Sequence, residues 1–247
     1  MVLENSLGMA PPSILYKFVS PARLNVLLDK EIRFTQAFAL NDPFEFSLGR
    51  PIPDAEGLGH FEEKIDKMRR EQKLEESRIF GVLSLAEENS SIPMWAHYAA
   101  DHTGFAIGFD VESSWFRQAI AERKLDRVRY ISERIGSTRL SPDHPELKVD
   151  DIFLTKSKEW GYEKEWRWIE RRNPREYARV VPTASGELRF VRPFPPESVR
   201  EIILGYRSSS ALIESIQTIA LMPDYSHIRL FKVALDESKY LLKVEAL

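Results

Sequence analysis

The sequence predicts an α+β fold, and three observations carry that expectation. Short apolar strand patterns alternate with short helices, without the regular spacing of βαβ units. The opening strand–helix–strand packs into about twenty residues, where a βαβ unit takes about thirty or more. No glycine-rich phosphate loop joins a strand to a helix, which points away from a doubly wound nucleotide-binding sheet.

In chain order, residues 1–13 read as a loose leader before a single α+β domain over 14–247. Ile14–Val19 is a strand, and Ser20-Pro21 opens a short helix that places Leu24, Leu27 and Leu28 on one side. Ile32–Thr35 is a second strand. Asn41-Asp42-Pro43 is a turn flanked by apolar residues, in which Asp42 and Glu45 read more readily as turn caps than as ligands or a base. Pro51–Gly59 is a joint, and Phe61–Ser77 a charged helix with a solvated face. Ile79–Leu85 is a buried strand, Met94–Ala99 a short helix opened by Pro93, and Phe105–Phe109 a central strand. Trp115–Arg123 is a helix, Leu125–Ile131 a strand, Ser132–Pro145 a polar loop and Leu147–Lys158 a helix. Gly186 marks a hairpin-like turn before Leu188–Val191. Val199–Leu204, Ile228–Leu235 and Tyr240–Val244 are strands, with a helix over Ala211–Leu221.

Composition narrows the chemistry. The 247 residues are 43% hydrophobic and 30% charged, an ordinary globular balance. A net charge of −3 supplies no global field for nucleic acid or anionic membrane. The absence of cysteine removes thiol nucleophiles, disulfides and cysteine-ligated metals, and accords with a cytoplasmic location. No apolar run is long enough to predict a membrane-spanning helix. His97 and His102 lie five apart with no third ligand at a matching spacing, so no metal is expected.

The most informative stretch is Lys156–Arg172, KSKEWGYEKEWRWIERR, which holds three of the five tryptophans among dense charge. Glu165–Ile169 alternates as a strand, with Trp166 and Trp168 on one face and Glu165, Arg167 and Ile169 on the other. A carboxylate beside a guanidinium, backed by large apolar anchors, is a way to hold a reactive acid rigidly. A surface ion pair on an amphipathic strand is the plainer reading.

Four segments carry a family resemblance: LYKF (15–18), EIRFTQAFALNDPFEF (31–46), SLAEENSSIPMWAHYAADHTGFAIGFD (84–110) and LTKSKEWGYEKEWRWIE (154–170). Together they resemble the bacterial domain-of-unknown-function family DUF2971, over roughly residues 14–235. The opening strand–helix–strand, the Ser91-Ile92-Pro93-Met94 segment and Glu165-Trp166 are also similar to ADP-ribosyltransferase domains of the DNA-targeting toxin type. That second resemblance implies a split β-sheet core with flanking short helices, NAD as substrate, and a toxin or phage-defence role. It implies Glu165 as catalytic acid, Lys17 beside Tyr16 orienting NAD, and Thr35 and Asn41 near the nicotinamide pocket. Trp95 or Tyr98 would stack on the nicotinamide, and Arg167 would keep Glu165 ionised. At Lys17 the sequence departs from the usual His or Arg, and a lysine point charge cannot reproduce a planar fork.

Such chemistry suits the residue types, because breaking the nicotinamide–ribose bond passes through an oxocarbenium-like state that a carboxylate stabilises. Lys156, Lys158, Arg171, Arg172 and Arg175 would seat a DNA or RNA acceptor, unless they pair with Glu159, Glu163, Glu170 and Glu176. Two other classes stand beside this one. One is a non-catalytic binding module with an antitoxin or defence partner protein. The other is a metal-dependent nuclease using Asp42, Glu45, Glu159 and Glu165.

Overall fold

A computed structural model of the chain describes residues 10–36, 39–45, 80–122, 124–134, 153–171, 179–182 and 188–247. Several expected features lie outside these residues: most of the leader, the 51–59 joint, the 61–77 helix, most of the 132–145 loop, Arg172, Arg175, Glu176 and Gly186. In chain order the strands and α-helices are β1 (Ile14–Val19), α1 (Asn25–Asp29), β2 (Glu31–Gln36), β3 (Phe80–Ala86), α2 (Ile92–Tyr98), β4 (Phe105–Asp110) and α3 (Ser114–Ala121). They continue as β5 (Leu125–Arg127), β6 (Arg129–Ile131), β7 (Thr155–Ser157), β8 (Glu165–Arg171), β9 (Arg179–Pro182), β10 (Leu188–Pro193), β11 (Val199–Leu204), α4 (Ser210–Ala220), β12 (Arg229–Leu235) and β13 (Leu242–Ala246). The fold is α+β, with mixed strand pairing and short helices. The chain divides into two compact units, the first from residues 1–21, 86–127 and 195–247, the second from 22–85 and 128–194.

In the first unit the strand order is β13-β12-β11-β4-β1. The β11–β12 pair is parallel and the others are antiparallel. β4 lies between β1 and β11, and its run Phe105-Ala106-Ile107-Gly108-Phe109 is buried on both faces, as a central strand must be. Each large apolar side chain buried this way contributes about 1.5–3 kcal/mol. Helix α3 lays Trp115 and Phe116 on Phe109, with ring centroids at 5.8 Å in both contacts. Helix α4 makes the crossover that the parallel β11–β12 pair needs. Ser209 caps it, its hydroxyl accepting from the Leu212 N–H at 3.2 Å, and Leu212, Ile216 and Ile219 form its buried stripe.

Helix α2 starts after Ser91 with Pro93 in its first turn. It ends in three successive left-handed residues, Ala100, Asp101 and His102, at φ 48°, 53° and 66°. Gly104 then turns the chain so tightly that a Cβ there would lie 2.1 Å from the Val19 carbonyl oxygen.

In the second unit β2 pairs antiparallel with β3 and β10, β10 pairs with β9, and β8 lies beside β3. β6 and β7 form a separate parallel pair. Phe34 meets Trp168 edge to face at 5.6 Å, and Val82 packs with Phe153.

Three expected elements differ. The helix expected to run through Lys158 is absent from 155–158. Thr155–Ser157 is strand β7, and Ser157 caps a 3₁₀ turn over Lys158–Glu163. Thr155–Ser157 is held in extended form by its pairing with β6. The single strand expected over Leu125–Ile131 breaks into β5 and β6 at Val128, whose N–H donates to the Glu165 carbonyl at 2.9 Å. The first helix is a 3₁₀ turn, Pro21–Arg23, followed by the five residues of α1, which stop at left-handed Lys30.

Candidate functional site

The β8 sequence places Glu165 and Arg167 two residues apart in an extended strand, so their side chains share a face. Both are buried, along with Trp166 and Trp168 on the opposite face. The plain reading of a surface ion pair is therefore corrected: the pair is interior, with side-chain exposures of 5% and 1%.

Arg167 presents a planar fork that makes four hydrogen bonds. Its Nε donates to Glu165 Oε1 at 2.8 Å and its Nη2 to Glu165 Oε2 at 2.9 Å, a bidentate pair. Nη1 donates to the Phe153 carbonyl at 2.7 Å, and Nη2 also binds Glu45 Oε1. Lys156 enters from β7. Its Nζ donates to Glu163 Oε2 at 2.6 Å and lies 3.6 Å from Glu165 Oε2 and 3.7 Å from Glu45 Oε1. The ammonium also lies 4.7 Å from the centroid of the Trp160 ring. The Glu165 N–H donates to the Tyr130 hydroxyl at 2.9 Å, which ties the strand to β6.

Three carboxylates thus meet two cations in one buried cluster. Burial alone would push the Glu165 carboxyl up, but Arg167, then Lys156 and a Ser84 hydrogen bond, outweigh it and hold that carboxyl at about 2. Glu45 goes the other way. Its desolvation outweighs the same two cations and raises its carboxyl above the ordinary value. Burial lowers Lys156, yet Glu165, Glu45 and Glu163 together raise it, so both cations stay charged. Two carboxyls pushed apart in one site is a pattern found where one group serves as acid and the other as fixed charge.

The remaining expected site residues divide between the units. Thr35, Asn41, Glu165 and Arg167 belong to the second unit; Tyr16, Lys17, Trp95 and Tyr98 belong to the first. Thr35 is half-buried opposite Val82 in the β2–β3 ladder, and Asn41 is exposed. Tyr16 is buried and bonded: its hydroxyl donates to Glu201 Oε1 at 2.9 Å and accepts from Asn89 Nδ2 at 3.1 Å. Burial and the Glu201 charge push its hydroxyl up to about 12. Trp95 is fully buried, edge-on to Phe18 at 5.1 Å, and its indole N–H donates to the Asn89 carbonyl. Tyr98 and Lys17 are half-buried.

Of the basic residues expected to seat an acceptor, Lys158 and Arg171 are exposed, whereas Lys156 is consumed inside the cluster. For Lys156 the structure shows the ion-paired alternative, with Glu163 as its partner. Sequence reasoning missed Glu45 as a partner of Arg167 and read it as a cap; Asp42 is the cap, its Oδ1 accepting from the Phe44 N–H at 2.8 Å. The signal was present in Phe44-Glu45-Phe46, a lone acid between aromatic residues after a turn. Among the described residues, no group of three or more His, Cys, Asp or Glu side chains is arranged to hold a metal ion. No helix among them is long and apolar enough to cross a membrane.

Fold and site together define an α+β protein whose strand β8 carries a buried carboxylate–guanidinium cluster. The model of DUF2971, described as a protein of unknown function, matches residues 94–168, from α2 to Trp168 of β8. The resemblance to that family is thereby shown over this stretch, which contains Lys156, Glu163, Glu165 and Arg167 of the cluster. No curated protein and no solved structure matches the chain.

Proposed function

We propose that the chain acts on NAD, cleaving its nicotinamide–ribose bond at Glu165 as an ADP-ribosyltransferase or NAD glycohydrolase of toxin or phage-defence type. One observation carries the reading: Glu165 is kept ionised, at about 2, in a buried, aromatic-flanked setting where its field is little screened. In the reaction, the glycosidic C–N bond breaks and its electron pair leaves with neutral nicotinamide. Positive charge then develops on the ribosyl C1′ and ring oxygen, and the Glu165 carboxylate stabilises it. An acceptor hydroxyl, amine or water attacks C1′ and gives up its proton. Glu45, whose carboxyl burial raises above its ordinary range, is the carboxyl of the cluster better suited than Glu165 to take that proton. The exposed Lys158 and Arg171 support a polyanionic acceptor such as DNA or RNA.

A specific observation favours a second reading. Both Glu165 oxygens are engaged by Arg167, and the carboxylate is almost wholly enclosed. That suits a non-catalytic binding module in which the cluster is architectural, with an antitoxin or defence protein as partner. The test is nicotinamide release from NAD by the purified chain, with and without single-stranded DNA and RNA, comparing wild type with Glu165→Gln. Release that disappears in a folded variant supports NAD chemistry at Glu165. No release and no NAD-dependent rise in Tm sinks it and leaves the binding module.

A further inference from the structure

Strand β13 stands at the end of its sheet. Among the described residues it pairs with β12 alone. The hydrogen bonds at the two ends of that hairpin reveal which backbone groups remain outside. The Leu247 N–H donates to the Leu230 carbonyl, and the Asp236 N–H to the Leu241 carbonyl. In an antiparallel ladder, residues that bond the partner strand alternate with residues that face away. Residues 241, 243, 245 and 247 therefore point their backbone groups toward β12. Leu242, Val244 and Ala246 point theirs outward.

The register with β12 is continuous, without a bulge, and β13 contains no proline. Two common devices for blunting an edge are thus absent.

The sequence of this edge is close to self-complementary. Read as Leu241-Leu242-Lys243-Val244-Glu245-Ala246-Leu247, it sets apolar residues against apolar and opposite charges against each other about Val244. An antiparallel copy centred there sets Lys243 opposite Glu245 twice, Leu242 opposite Ala246 twice and Val244 opposite itself. Just beyond the strand ends, Leu241 meets Leu247, and these are exposed apolar residues at 39% and 49%. The outward-facing residues Leu242, Val244 and Ala246 then fall in hydrogen-bonded pairs, giving about six backbone bonds across the two-fold. Lys243 and Glu245 fall in the closer, non-hydrogen-bonded pairs, where side chains interact best. Lys243 also holds Asp236 at 2.7 Å, but its side chain is half exposed, and an ammonium has three donors.

From this geometry we propose that β13 is a homodimerisation edge, and that its partner is the β13 of a second copy, paired antiparallel across a two-fold at Val244. The occupant is specified by charge: a register shift by two residues in either direction would misalign the Lys243–Glu245 pairs. A single strand edge of this length gives a modest interface, so the expected dissociation constant is about 10–100 μM.

The test is sedimentation velocity over a concentration series of the full chain. Val244→Pro removes an outward N–H while leaving the β12 ladder bonds intact, a place where an edge strand tolerates proline. Glu245→Lys sets like charges across the two-fold. Each is expected to weaken dimerisation by about tenfold or more with circular dichroism close to wild type; Val244→Pro also leaves Tm close to wild type, whereas Glu245→Lys lowers it slightly by facing Lys232 of β12. Combining Lys243→Glu with Glu245→Lys restores opposite charges and is expected to restore the dimer. A wild-type chain that stays monomeric at several hundred micromolar overturns the proposal. So does a dimer indifferent to Val244→Pro and Glu245→Lys, or a charge exchange that fails to rescue a folded protein.

Discussion

Removing Arg167 is the sharpest test of the buried cluster. Arg167→Met keeps an unbranched apolar stem of similar reach but deletes the donors to both Glu165 oxygens, to Glu45 and to the Phe153 carbonyl. Lys156, at 3.6 and 3.7 Å from the two carboxylates, remains the one cation of the cluster beside them. Breaking a buried pair from one side costs about 3–5 kcal/mol, because the survivor is left charged and poorly solvated. Against a total stability of about 5–15 kcal/mol, that is a large fraction. For a chain of this size it corresponds to a fall in Tm of about 6–20 °C. The loss should depend on pH with a defined sign. In the wild type the Glu165 carboxyl is held at about 2, against 4.5 for the ordinary group. Its stabilising contribution is therefore complete above about 4.5 and disappears as pH falls toward 2. In the variant the carboxyl moves up, so the difference between the two proteins should shrink as pH drops from 7 toward 4. Equilibrium urea unfolding of both proteins at pH 7, 5.5 and 4.5 measures this directly. A difference below about 1 kcal/mol at pH 7, or one that grows on acidification, would refute the view that Arg167 holds Glu165 ionised in a buried site.

Three further outcomes are expected. Glu45→Gln removes a charge that burial disfavours, so it should cost less than Glu165→Gln, which replaces a carboxylate held well below its ordinary range; paired urea midpoints decide the order. Gly104→Ala forces a Cβ to within 2.1 Å of the Val19 carbonyl oxygen and should cost about 2 kcal/mol or more, read as a fall in Tm. Ala100→Gly, at φ 48° after α2, relieves a left-handed residue and should leave stability unchanged or raise it by up to about 1 kcal/mol in the same melt.

Much of the first unit was legible because its strands are decided locally. Val199–Leu204 carries the β-branched and apolar residues Val199, Ile202, Ile203 and Leu204 between a proline-rich break and a glycine, and it forms β11 with those bounds. The α4 stripe of Leu212, Ile216 and Ile219 repeats at helical spacing after a serine cap. Where pairing depends on distant partners, the sequence was silent. Thr155–Ser157 carries no strand pattern of its own and becomes β7 only because β6 lies alongside. The cluster shows the same division. Glu165 and Arg167 stand out because they alternate with tryptophans on one strand. Glu45 lies 122 residues from Arg167, and its flanking aromatic residues mark it as drawn inward without naming its partner. Lys156, inside a dense run of charge, looked solvated, since local composition cannot reveal which lysine of several is drawn inward.

The order in which the first unit is stitched together bears on its synthesis. β4 is an interior strand buried on both faces, yet it obtains its second neighbour, β11, only after about ninety further residues have been made. At bacterial or eukaryotic elongation rates that interval is roughly 4–18 s. For that time Phe105–Phe109 is an apolar strand with one side open, long enough for a chaperone or a neighbouring nascent chain to reach it first. Slowing translation within this interval should therefore lower soluble yield without altering any contact in the finished protein.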